Sequence, residues 1–305
     1  MFFILGLGAG LLRSDLRLPP AAYELFSILL LLTIGLKGGV ELANQPLWEL
    51  LPKATIVVLL GFMLPLMLYP LLRYAGRLGR ADAASVAAHY GSVSVGTFAV
   101  AVAYLASRNI PFEEYMPVFL VLLETPAILV GILLARGITR DTRWRPLARE
   151  IFLSKSIVLL FGGLVIGWIA GPQGIKPIEG LFFDLFKGVL ALFLLEMGLI
   201  CAGQFGGLRR HGLFLIAFGI VTPIAAGTLG AAVAWMMGLS VGGTVLLAAL
   251  AGSASYIVAP AAMRLAVPQA NPTLSLTASL GITFPFNIVL GIPIYHRIAG
   301  QFHLI

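Results

Sequence analysis

Two short clusters of glycine and serine interrupt an otherwise apolar chain: Gly91-Ser92-Val93-Ser94 and Gly252-Ser253-Ala254-Ser255, 161 positions later. Each places one glycine and two hydroxyls within four residues. Where a membrane helix unwinds, the leading N–H groups of the next half-helix are left free. With the helix dipole they favour an anion. Freed carbonyls and nearby Ser or Thr hydroxyls suit a small hard cation such as sodium. The glycines permit non-helical dihedrals, and Pro260 removes a backbone donor close to the second cluster. The clusters thus offer an anion and its coupling ion one shared place. Small-residue clusters also fit close helix packing. Two clusters in matching positions favour the binding reading.

Other polar groups lie within apolar runs. Glu124, in Leu123-Glu124-Thr125-Pro126, is a costly intramembrane carboxylate and by default a functional candidate. It fits a sodium ligand, a proton carrier, a cap for the broken helix, or a hydrogen-bonded structural residue. Asn287, in Phe284-Pro285-Phe286-Asn287, offers a carbonyl oxygen and an amide without charge. Thr97, Glu124, Thr125 and Asn287 are the candidate sodium ligands. Lys37 and Glu196 read as structural or interface residues, with a place facing the transport path as the alternative, and Lys37 has the stem to snorkel outward. His89 reads as a helix-packing hydrogen bonder, because no second His or Cys stands at ligand spacing. Cys201 reads as a small buried apolar residue. A single cysteine excludes a disulfide framework and a cysteine-rich metal site. There is no HExxH, no CxxC and no phosphate-binding glycine loop with lysine. Gly91–Gly96 is not a G-x-S-x-G elbow, since Ser92 occupies the first glycine position. Neither an enzyme, a cofactor nor a transition-metal site is expected.

The elements that carry these residues must be membrane helices. Of 305 residues, 59% are hydrophobic and 11% charged, against about 25% charged in soluble domains. Mean hydropathy is +1.00. A soluble fold could not cover its surface with so few charges. Apolar runs at 1–12, 20–43, 52–75, 82–107, 115–136, 151–171, 181–204, 211–237, 242–266 and 273–298 give about ten transmembrane helices in an all-α polytopic fold. The first run would rise only about 18 Å, too little to span alone. It lacks the basic region and cleavage site of a signal peptide.

Lysine and arginine set the orientation. With the N-terminus outside, 14 fall in the inner loops and 6 in the outer ones. Both termini are expected outside and the 137–150 loop in the cytoplasm. The +7 net charge is thereby a topology signal, and no nucleic-acid partner is expected. The chain also repeats itself. Gly61…Pro65 resembles Gly219…Pro223, Asn109-Ile110-Pro111 echoes Asn271-Pro272, and Leu133…Arg136 falls near Ile294…Arg297. Five spans per copy is odd, so the second copy, 146–305, enters inverted relative to the first, 1–145. Inverted repeats place the ligand where matching helices break, here spans four and nine.

Taken together, Ile34-Gly35-Leu36-Lys37-Gly38-Gly39, Tyr90-Gly91-Ser92-Val93-Ser94, Gly252-Ser253-Ala254-Ser255-Tyr256, Ala270-Asn271-Pro272 and Gly281-Ile282-Thr283-Phe284-Pro285 resemble the sodium-dependent bicarbonate transporter family. The resemblance covers nearly the whole chain. It implies a bacterial inner-membrane protein with a core of about 52–136 and 211–298 and a gate of about 1–43 and 151–204. It also implies elevator-type movement, a homotrimer built through the gates, and membrane lipid around it. Bicarbonate and sodium would meet at Gly91, Ser92, Ser94, Gly252, Ser253 and Ser255. Tyr256 stands where cyanobacterial members carry Asp, and joins the candidate substrate residues. The short linker between halves argues against the PII-like regulator that the resemblance implies. Another small carboxylate, sodium/proton exchange, and a passive channel or sensor are the alternatives. Ser94→Ala with Ser253→Ala is expected to reduce uptake and leave the fold intact.

Overall fold

A computed structural model of the chain describes residues 1–43, 47–137, 149, 152–204 and 212–304. Most of the 137–150 loop, with Arg140, Arg143 and Arg145, lies outside the described residues, as do Arg209 and Arg210. Among the described residues all regular structure is helical. In chain order the helices are α1 (Phe2–Leu11), α2 (Pro20–Leu42), α3 (Leu47–Pro70), α4 (Arg80–Gly91), α5 (Val95–Ser107), α6 (Met116–Arg136), α7 (Lys155–Ile175) and α8 (Phe186–Gln204). They continue with α9 (Gly212–Met236), α10 (Val241–Ala251), α11 (Val258–Ala266) and α12 (Pro272–Phe302).

Eight segments are long and apolar enough to cross a membrane. Phe2–Leu11 and Val241–Ala251 are apolar but shorter. The run over 242–266, read from the sequence as a broken span, is two short helices, α10 and α11.

Glycines set the closest helix contacts. A Cβ on Gly163 of α7 would stand 3.0 Å from the Gly35 Cα of α2. Gly198 of α8 meets the backbone of Phe3, Gly6 and Leu7 in α1. Such pairs let backbones approach where lipid offers no hydrophobic drive for association. The result is that α2 packs along α7 and α1 along α8, while α3, α4 and α6 pack together, as do α9, α10 and α12.

Short polar side chains fix the helix starts. Ser94, Ser154, Ser240 and Asn271 each accept a backbone N–H from the first turn that follows. Ser240 is itself held by Glu113, whose carboxylate accepts from the Ser240 N at 2.6 Å and its Oγ at 3.1 Å. The last helix contains wide π-type turns over Thr277–Thr283 and Asn287–Gly291. Turns of this kind concentrate at functional sites.

Candidate functional site

The fourth apolar run breaks after Gly91, and Ser92 to Ser94 are extended. The ninth breaks after Ala251 and resumes as helix at Val258. The two breaks meet. Ser94 N donates to Ser253 Oγ at 2.9 Å, and Ser255 N donates to the His89 carbonyl at 2.7 Å. Each break thus satisfies backbone groups that the other leaves open, as buried N–H and C=O groups require.

The glycines act differently from expectation. Gly91 is helical, and Gly252 has φ −85° and ψ 8°, which any residue tolerates. Their value is the missing side chain. A Cβ on Gly91 would stand 2.6 Å from Pro65 Cδ and 2.9 Å from Ala127 Cβ. One on Gly252 would stand 2.6 Å from the Pro223 carbonyl and strike the Tyr295 hydroxyl. Pro260 also does not make the second break. It lies in the first turn of α11, where a missing N–H costs little.

The hydroxyls divide into two groups. Ser94 Oγ accepts from Thr97 N at 3.1 Å and from Thr97 Oγ1 at 3.0 Å. Ser253 Oγ donates to the Leu250 carbonyl at 2.8 Å while accepting from Ser94 N. Ser255 Oγ accepts from Ala259 N at 3.2 Å. These three serines hold the breaks in shape. Ser92 Oγ is buried without a hydrogen-bond partner, and the Tyr256 hydroxyl, buried beside Ser94 and Gly96, makes no hydrogen bond of ordinary geometry. A buried hydroxyl left unpaired costs about 1–3 kcal/mol, and His89 Nε2, Glu196 Oε2 and Thr277 Oγ1 share that condition. The Tyr256 ring packs edge-on to Phe284 at 5.3 Å, and its hydroxyl rests against Gly96. Gly96 belongs to the first turn of α5, whose leading N–H groups lack intrahelical acceptors. Ser92, Ser94, Ser253 and Ser255 are each at most 2% exposed.

The candidate sodium ligands stand on three helices, Thr97 on α5, Glu124 and Thr125 on α6, and Asn287 on α12. Thr97 is engaged with Ser94. Glu124 is buried on α6, three residues from the Ala127 that touches Gly91, so it shares the face toward the first break. Thr125, the next residue, points about 100° away round the helix. Asn287 Nδ2 donates to the Gly252 carbonyl at 2.8 Å, and its Oδ1 accepts from the Tyr295 hydroxyl at 2.7 Å. Asn287 is therefore a clamp on the second break. Sequence reasoning missed Tyr295 as its partner. The signal available was a polar aromatic in a segment already seen to echo Leu133…Arg136. It also missed Tyr90, whose hydroxyl shares a 2.7 Å hydrogen bond with Thr283 Oγ1, which donates in turn to the Gly219 carbonyl at 2.7 Å.

His89 is buried, with Nδ1 donating to the Ser85 carbonyl at 2.7 Å. Cys201 is buried, and its thiol donates to the Leu280 carbonyl at 3.0 Å. Glu196 is buried, with Oε2 unpartnered, and Lys37 is exposed. Among the described residues no three His, Cys, Asp or Glu side chains gather around a point.

Apolar helices long enough to cross a bilayer and a buried meeting of two helix breaks define a multi-pass membrane protein. Residues 1–300 match the description of the Na+-dependent bicarbonate transporter superfamily, and the chain belongs to that family. No curated protein matches the chain significantly in sequence.

Proposed function

We propose that the protein is a secondary active transporter coupling sodium to uptake of bicarbonate or a similarly small anion. The observation that carries this reading is the pair of unpartnered hydroxyls, Ser92 and Tyr256, at the meeting of the two breaks in a chain of this family. The anion takes hydrogen bonds from these hydroxyls and from the leading N–H groups of α5. Gly91, Gly252, Ser94, Ser253 and Ser255 shape the site. Sodium takes Glu124, with released carbonyls nearby.

The inverted repeats, 1–145 and 146–305, supply ten helices in this reading, with α4–α5 and α10–α11 each counted as one broken helix. The matched contacts of Gly91 on Pro65 and Gly252 on Pro223 support it. The core, α3–α6 with α9–α12, moves as one body against a gate of α1, α2, α7 and α8, an elevator-type alternation. The hydrogen bonds joining the two breaks support movement as a unit. The gates form a homotrimer in a bacterial inner membrane, with both termini outside and the 137–150 loop cytoplasmic. The short linker speaks against a PII-like regulator.

A tenfold sodium gradient offers about 1.4 kcal/mol per ion, and each net positive charge entering adds about 2.3 kcal/mol per 100 mV. One sodium per monovalent anion is electroneutral and uses the chemical gradient alone. The buried carboxylates Glu124 and Glu196 favour a second reading, in which protons couple to a small carboxylate or exchange for sodium.

The test is labelled bicarbonate uptake into liposomes holding the purified protein, with and without an inward sodium gradient. Sodium-driven accumulation above equilibrium supports the first reading and excludes a passive channel or sensor. Flux that follows pH in the absence of sodium supports the second. Equilibration without accumulation refutes coupled transport.

A further inference from the structure

A cavity of about 510 Å³ lies between α5 on one side and α2 with the 179–187 segment on the other. On α5 it runs from Phe98 to Ala106, a distance of about 12 Å along the helix. Phe98 is one turn from Ser94, so the cavity ends just short of the breaks. Lys37, Glu114, Glu179, Asp184 and Lys187 also line it. All but Glu114 are exposed, and Glu114 is half-buried. Charges of this kind face water and not lipid, so the cavity is open where they stand.

The five charges have both signs, yet none pairs with another within 4.0 Å. Among the described residues the one ion pair is Lys155 with Glu24. Exposed charges gain little by pairing, so both signs stay available: ammonium groups for an anion and carboxylates for a cation.

We propose that this cavity is the vestibule through which the transported ions reach the breaks. Lys37 and Lys187 gather the anion, Glu114, Glu179 and Asp184 gather the cation, and Phe98 is the barrier at its inner end. This rests on the transport reading above. The vestibule stands apart from the buried site, because its α5 wall begins at Phe98, one turn beyond Ser94. A charged lining raises the local ion concentration without entering the buried crossing.

The experiment uses the full-length protein in liposomes. Its single cysteine, Cys201, is buried, so an introduced cysteine is the one accessible thiol. In Ala103→Cys a bulky charged thiosulfonate reagent is expected to abolish sodium-dependent bicarbonate uptake, and bicarbonate with sodium to slow the labelling. If that variant does not fold, Ala106→Cys serves instead. Lys37→Gln and Lys187→Gln are each expected to raise the half-saturating bicarbonate concentration about fivefold, the effect of one charge at close range in water. The maximal rate should stay unchanged, and the salt dependence of uptake should weaken. Labelled protein that transports normally overturns the vestibule, as does a lysine variant that changes the maximal rate alone. Wild-type vesicles without uptake overturn the transport reading, and the vestibule falls with it. That failure is visible before any variant is compared.

Discussion

Replacing Ser253 with alanine removes one oxygen and two hydrogen bonds, but the losses are unequal. The Leu250 carbonyl keeps a second donor, the Ser253 N at 3.1 Å. Ser94 N has no such reserve and is left buried without an acceptor, which costs about 1–3 kcal/mol. Taking about 2 kcal/mol, the folded fraction falls roughly 30-fold relative to the unfolded. Ser92→Ala also removes one oxygen, but that oxygen has no partner to lose. Stability should hold or rise by about 1 kcal/mol as an uncompensated buried hydroxyl disappears. Uptake should fall in both variants, through a loosened crossing in one and a lost ligand contact in the other. The assay is reversible unfolding in mixed detergent micelles beside uptake in liposomes. Ser92→Ala that destabilises while transporting normally would refute the division of the hydroxyls, and so would Ser253→Ala with unchanged stability. The double replacement of Ser94 and Ser253 is accordingly expected to weaken the fold as well as transport.

Gly96→Ala drives a methyl into the Tyr256 hydroxyl and to 3.1 Å from Phe193 and Phe284, costing about 1–3 kcal/mol by overpacking. Tyr256→Phe should recover part of that loss in a double-mutant cycle; additive losses would show that the hydroxyl is not the obstacle. Tyr295→Phe withdraws a donor from Asn287 and should cost about 1 kcal/mol in unfolding experiments; a neutral result would remove Tyr295 from the clamp. Burial raises the Glu114 pKa, Lys37 opposes that rise and Glu41 adds to it. The folded state therefore holds the proton more tightly than the unfolded one. Its contribution is greatest at low pH and lost as pH climbs through the raised value. Glu114→Gln should flatten that decline in a series of melts from pH 4 upward, about where carboxylates titrate; an unaltered profile would assign the decline to another group.

Both breaks were legible in the sequence because small polar residues are conspicuous in apolar runs. The matching order of the motifs also singled out two positions from many glycines. What each glycine does was not legible, since close approach depends on Pro65, Ala127, Pro223 and Tyr295, all remote in sequence. The same holds for the serines. Ser94 and Ser253 look alike within their motifs, but their hydrogen bonding is decided by a partner 159 residues away. Asn287 read as a ligand because an amide suits one; the structure engages both ends of it. Phe98 and Lys37 could not be placed on one cavity without knowing that α2 faces α5.

The bonds that join the breaks also constrain how the protein is made. When the first break enters the membrane, the groups that will satisfy Ser94 N and the His89 carbonyl have not been synthesised. At about 5–20 residues per second the ribosome needs roughly 8–32 s to supply them. Until then the nascent first half carries unpaired backbone inside a low-dielectric medium. The insertion machinery or transient water must shelter it, and a chain that stops short of Ser253 has no route to a closed crossing.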